Sequence, residues 1–187
     1  MTRLTKPIIF LFLVGLAALT AAIFGALHNQ LSYTVGPSYF TDFKFRQFDI
    51  SSDLPDRIGA AWVGVQASWW MGILVGLPAF LIGLFIVPQR QTYLAAGIGA
   101  IGLVLTFTLF AALAGLIGGL VADRTGLLDP YLQLPEHLDR SEFLRAGFMH
   151  NASYLGAALG GLIAIWPMFR ARRIDTVRTT PQTGNAP

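Results

Sequence analysis

The chain contains no cysteine, so it has no disulfide framework, no thiolate metal site and no cysteine nucleophile. Charge is scarce as well. Of the 187 residues, 12% are Asp, Glu, Lys or Arg, where soluble domains carry about 25%. That shortfall excludes a water-soluble globule, and it excludes a disordered chain, which needs the opposite bias. No acidic residue lies within a long apolar stretch, which removes the carboxylate relay of a proton-driven pump. A Gly-rich phosphate loop and a Gly-x-Ser-x-Gly nucleophile elbow are also missing.

Apolar residues make up 54% of the sequence, and mean hydropathy is +0.59. About 20 consecutive apolar residues cross a hydrocarbon core as a helix. Four stretches qualify, at 7–27, 58–87, 92–122 and 146–169. The expected fold class is therefore an all-α membrane protein, a four-transmembrane-helix bundle within a single domain, 1–170. Loops 28–57 and 123–145 fall on the outer side, and 171–187 reads as a disordered cytoplasmic tail. Arg3 and Lys6 before the first apolar run also describe a secretory signal. That run exceeds the roughly 7–15 residues of such signals, so the first span is expected to stay uncleaved.

Basic residues set the orientation. With both termini cytoplasmic, the inner side holds Arg3, Lys6, Arg90, Arg170, Arg172, Arg173 and Arg178, with Asp175 its one acid. The outer side holds six basic residues and the other nine acids. The basic counts nearly balance, so the Arg170-Ala171-Arg172-Arg173 cluster after the last span decides. The pI of 9.6 then reflects a cationic face toward anionic headgroups, and nucleic acid is excluded as a partner.

The first outer loop is rich in aromatics. Gly36-Pro37-Ser38 reads as a turn leading to a Ser N-cap. Phe40 and Phe43 then share a helical face, which predicts a short interfacial helix with both rings as lipid anchors. Trp62, Trp69 and Trp70 read as further anchors at the membrane boundary. Pro78 is the expected kink site of the second span. Ser141 and Glu142 mark the start of the last helix. Small-residue spacings recur at Gly72/Gly76, Gly115/Gly118/Gly119 and Gly156/Gly160/Gly161. They predict close helix packing, within the chain, with other membrane-protein subunits or by self-association.

His28-Asn29, followed by Ser32-Tyr33, matches His150-Asn151, followed by Ser153-Tyr154, at similar depth on the same side. His150 lies within an apolar segment, where ionisable groups are costly and face the bundle interior. Two readings follow. His28 and His150 could ligate a haem or a copper ion, with Met71 or Met149 as accessory ligands. Alternatively they form a hydrogen-bonded polar cluster with Asn29, Gln66, Asn151 and Tyr154 that ties the first and last spans together. The second reading is preferred, because two histidines without a third ligand make a weak metal motif.

The segment His28-Asn29-Gln30-x-Ser32-Tyr33-Thr34, with Pro37-x-Tyr39-Phe40, Lys44-Phe45 and His150-Asn151-x-Ser153-Tyr154-Leu155-Gly156, resembles a group of bacterial four-helix membrane proteins. The resemblance covers less than half the chain. It implies the bacterial inner membrane and brings no activity with it. The expected function is a non-enzymatic accessory or scaffold subunit of a membrane assembly, embedded in the lipid bilayer. The alternatives are a haem- or copper-binding redox protein and a small-solute transporter or channel.

Overall fold

The structure is a computed structural model that describes residues 5–131 and 134–179. Lipid offers no partner to a backbone N–H or C=O, so a spanning segment satisfies both within a helix. Four helices here are long and apolar enough to cross a membrane. They are α1 (Lys6–Val35), α3 (Asp56–Ile86), α4 (Arg90–Thr125) and α5 (Arg140–Ile163), the last continued by α6 (Trp166–Thr179). Between α1 and α3 lies a π-helical turn, Tyr39–Lys44, followed by the short α2 (Phe45–Gln47). The chain is a multi-pass, all-α membrane bundle, as its composition implied.

Several helix ends differ from the expected ones, each for a local reason. Residues 28–35 were expected in a loop, yet α1 runs on to Val35. Its polar residues there find partners across the bundle, so the helix need not stop where hydrophobicity does. Asp139, not Ser141, caps α5, its carboxylate accepting from the Glu142 N–H at 2.8 Å. Ser38 caps nothing with its side chain. Instead the Glu142 carboxylate reaches across and accepts from the Ser38 N–H at 2.6 Å. α4 ends at Gly126, whose φ of 64° suits a residue without Cβ, with its N–H bonded to the Ala122 carbonyl. α3 continues through Pro78. The expected disordered tail is helical over 171–179, since α6 extends to Thr179; residues 180–187 lie outside the described residues. Pro167 explains the break before α6. It lacks an N–H and its ring clashes with the carbonyl four residues back, at Ile163, where α5 stops.

The helices pack as two hairpins, α1 along α3 and α4 along α5, which touch each other more sparsely. Glycine sets the close approach within each hairpin. A Cβ on Gly64 would strike the Gly25 backbone, and one on Gly72 the Ala17 backbone. Gly115 meets Phe148 and Ala152, and Gly156 meets Ala111 and Phe107. The glycine spacings read from the sequence are thus largely occupied inside the chain.

Each end of the bundle has its own core. At the terminal end Leu13, Phe80, Tyr93 and Met168 pack together, and the Tyr93 hydroxyl donates to the Phe80 carbonyl at 2.9 Å. There α6 is pinned by Asp175. This fully buried carboxylate accepts from the Gln89 N–H at 2.9 Å and from the Thr92 hydroxyl at 2.7 Å. At the opposite end Tyr39, Phe40, Ala60, Val63 and Ala146 form a cap. Beyond the cap, Asp123 accepts from Ser141 and pairs with Arg140 and Arg145, joining α4 to α5.

Candidate functional site

Directly beneath the cap lies a layer of polar side chains, built mainly by two helix faces. On α1, His28 and Ser32 stand one turn apart and share a face. From α5, His150 enters against them. The His150 Nε2 lies 3.0 Å from the Ser32 hydroxyl, and Ser32 is fully buried. The His28 and His150 rings meet edge to face with centroids 4.9 Å apart. Ser153 donates to the His150 carbonyl at 2.7 Å. Asn29 turns toward α3, where its amide donates to the Ala60 carbonyl at 2.9 Å. These bonds tie three helices at one level.

The aromatic turn covers this layer. The Tyr39 ring lies 5.3 Å and the Phe40 ring 5.9 Å from His150, centroid to centroid. Tyr39 is buried, and burial pushes its phenol above the ordinary tyrosine value. Lys44 closes the outside of the cap. Its ammonium sits 4.7 Å from the Phe43 ring centroid and 5.5 Å from that of Tyr39. Burial lowers its pKa, and it donates to the Gln47 side chain at 2.8 Å.

The candidate residues separate into those that meet and those that do not. His28, His150 and Asn29 come together. Asn151 is exposed on the other side of α5 and does not join them. Tyr154 is 40% exposed and lines, with Met71, a cleft below the histidines. Met149 is buried but does not border that cleft. Gln66 is half-buried on α3. Trp62, Trp69 and Trp70 are about half exposed on α3. Phe40 is a correction. It is wholly buried and serves as a cap residue over His150, while Phe43 is half-buried. Sequence reasoning gave no role to Ser32, Tyr39, Ser153 or Asp175. The His28–Ser32 spacing of one helical turn was the available signal for Ser32. The lone acid in a basic segment was the signal for Asp175.

Two imidazoles at this spacing do limited metal chemistry. A haem held between two histidines needs iron and a macrocycle between the rings, with metal–nitrogen bonds of about 2 Å on each side. Ring centres 4.9 Å apart in an edge-to-face pair leave no space for it. A copper site takes a third ligand, and no group of three His, Cys, Asp or Glu side chains comes together among the described residues. The geometry instead favours the hydrogen-bonded tie between α1 and α5.

Comparison of the chain with protein-family models, curated proteins and solved structures returns no match. The site is therefore read from its own geometry.

Proposed function

We propose that the chain is a non-enzymatic subunit of a bacterial inner-membrane assembly, with both termini cytoplasmic, and that it docks a partner helix on α4. The observation that carries this reading is a contrast among the glycines. Most of them lie against a neighbouring helix or side chain, but Gly15 on α1 and Gly99 and Gly102 on α4 have open space where a Cβ would stand, and only the α4 pair falls at helical spacing. At 100° per residue, Ala95, Gly99, Gly102 and Thr106 fall on one face of α4, and all four are exposed. Exposed small residues at this spacing let a second helix backbone approach where no hydrophobic force drives association. The Thr106 hydroxyl is turned back onto the Gly102 carbonyl at 2.9 Å, so the stripe presents an apolar surface. The basic residues after α5 and the resemblance to bacterial four-helix membrane proteins support the orientation and location.

The test is affinity purification in mild detergent. Wild type is expected to retain a membrane partner at fixed stoichiometry. Gly99→Leu with Gly102→Leu should lose it while unfolding at the wild-type temperature. A monomer without a partner across several detergents, or retention by the double variant, overturns the reading. A homodimer lost in the double variant would identify the partner as a second copy. The transporter reading has less support: of the polar residues Gln66, Ser68, Thr106 and Thr108 on α3 and α4, the two threonine hydroxyls donate to carbonyls of their own helix.

A further inference from the structure

Between the two hairpins lies a cleft of about 90 Å³, partly open to the bundle surface and bordered by α1, α3, α4 and α5. Its α1 wall runs from Ala17 to Asn29, a rise of about 18 Å along the helix. A small volume drawn out over that length is a slot that admits one chain. Its walls are mainly apolar. Of the hydroxyls that border it, Thr20 donates to the Leu16 carbonyl, Thr108 to that of Val104 and Ser153 to that of His150, and Ser68 and Tyr154 add two more hydroxyls to the wall. No Lys, Arg, Asp or Glu lines the slot.

At its end stands a buried ring nitrogen that is not engaged. His28 lines the slot at the level of the capped polar layer, is 9% exposed, and its Nε2 is buried without a hydrogen-bond partner. Its ring is held between Phe24, stacked at 5.8 Å, and His150, edge-on at 4.9 Å. A buried nitrogen in this position carries a desolvation penalty that an incoming oxygen would relieve. The lack of a lining cation disfavours a phosphate or carboxylate head. The small volume disfavours two acyl chains. The cleft is partly open and bordered by helices long and apolar enough to cross a membrane, which makes the bilayer the expected source of its occupant.

We propose that this slot binds one neutral, single-chain amphiphile, with its hydroxyl or carbonyl oxygen hydrogen-bonded to His28 Nε2 and its chain laid between the two hairpins. The site does not depend on a protein partner at α4 and is tested separately from it. A carbonyl head requires the tautomer with hydrogen on Nε2, whereas a hydroxyl suits either tautomer.

The experiment is native mass spectrometry of the purified full chain with four probes: dodecanol, decylbenzoquinone, dodecane and dodecyl phosphate. Dodecanol, decylbenzoquinone or both should form a saturable one-to-one complex, and which of them binds identifies the head as hydroxyl or carbonyl. Dodecane should bind about fivefold more weakly, the difference made by about one hydrogen bond. His28→Leu should reduce the oxygen-bearing probes to the dodecane level. Ala67→Phe, which fills the slot, should abolish binding, with Ala157→Leu as a second filling variant should the first misfold. The proposal is overturned if neither oxygen-bearing probe binds, if dodecyl phosphate binds as well as dodecanol, if adducts do not saturate at one, or if His28→Leu binds like wild type.

Discussion

The two ends of the bundle close themselves with buried polar groups, and they do so to different degrees. At the terminal end, Asp175 is fully buried and accepts from a backbone N–H and a hydroxyl on the α3–α4 connection and first turn of α4. At the histidine end, His150 is paired with Ser32, but the Nε2 of His28 and the Oγ of Ser38 are buried without partners. The first arrangement is a clamp. A buried acceptor surrounded by its donors gains from low dielectric and holds one geometry. The second is partly unsatisfied, and a native structure that keeps an unpaired buried nitrogen beside a slot invites a functional explanation. The difference teaches where this bundle is fixed and where it is poised.

The largest expected effect breaks the clamp. Asp175→Ala leaves the Gln89 N–H and the Thr92 hydroxyl without their acceptor, and hydrogen bonds to a charged group are worth about 1.5–3 kcal/mol each. A loss of about 3 kcal/mol is expected, read as a lower unfolding temperature in detergent and as faster hydrogen exchange along α6. Asp175→Asn, which keeps an acceptor oxygen, should recover part of the loss. Equal stability of Asp175→Ala and wild type would remove the distinction between the ends.

A smaller effect sharpens the contrast within the histidine layer. Ser32→Ala strips His150 Nε2 of its partner and leaves it buried, at a cost of about 1–2 kcal/mol. His28→Leu removes a nitrogen that has no partner to lose, so its stability cost should fall below that of Ser32→Ala. Unfolding temperatures of the two variants, measured side by side, decide the order. If His28→Leu is the more damaging, His28 is a structural tie like His150, and the two ends are alike.

Much of this architecture is legible in the sequence because lipid imposes a length and an absence of charge that no soluble core requires. The four spans follow from that constraint. What was not legible lies where polar and apolar signals change meaning with depth. Residues 28–35 read as a loop because His28, Asn29 and Ser32 are polar, yet Asn29 finds its partner on α3 and Ser32 on α5, so the helix continues. Phe40 reads as a lipid anchor because an aromatic ring is apolar in either setting; only its burial over His150 distinguishes core from interface. The pairing of His28 with His150 was visible as a shared pattern. That one imidazole would be bonded and the other left over is a matter of helix rotation, which spacing alone does not fix.

The smallest effect concerns the cap that separates the histidine layer from solvent. Burial among Tyr39, Phe43 and Phe48 lowers the Lys44 pKa from its ordinary value of 10.5, so the folded cap disfavours the ammonium relative to the unfolded chain. Stability from this group is therefore gained as pH rises through the lowered folded value toward 10.5, and lost as pH falls back through it. Contact with the ring faces offsets part of the penalty, which keeps the effect small. Lys44→Met should retain the packing and remove the pH dependence. Hydrogen exchange of the 39–47 amides across that alkaline window checks it, with rates corrected for their intrinsic pH dependence. Wild-type protection should rise with pH while that of Lys44→Met stays level. A cap whose protection responds to pH equally in both proteins would place the titrating group elsewhere, and would leave the histidine end closed by packing alone.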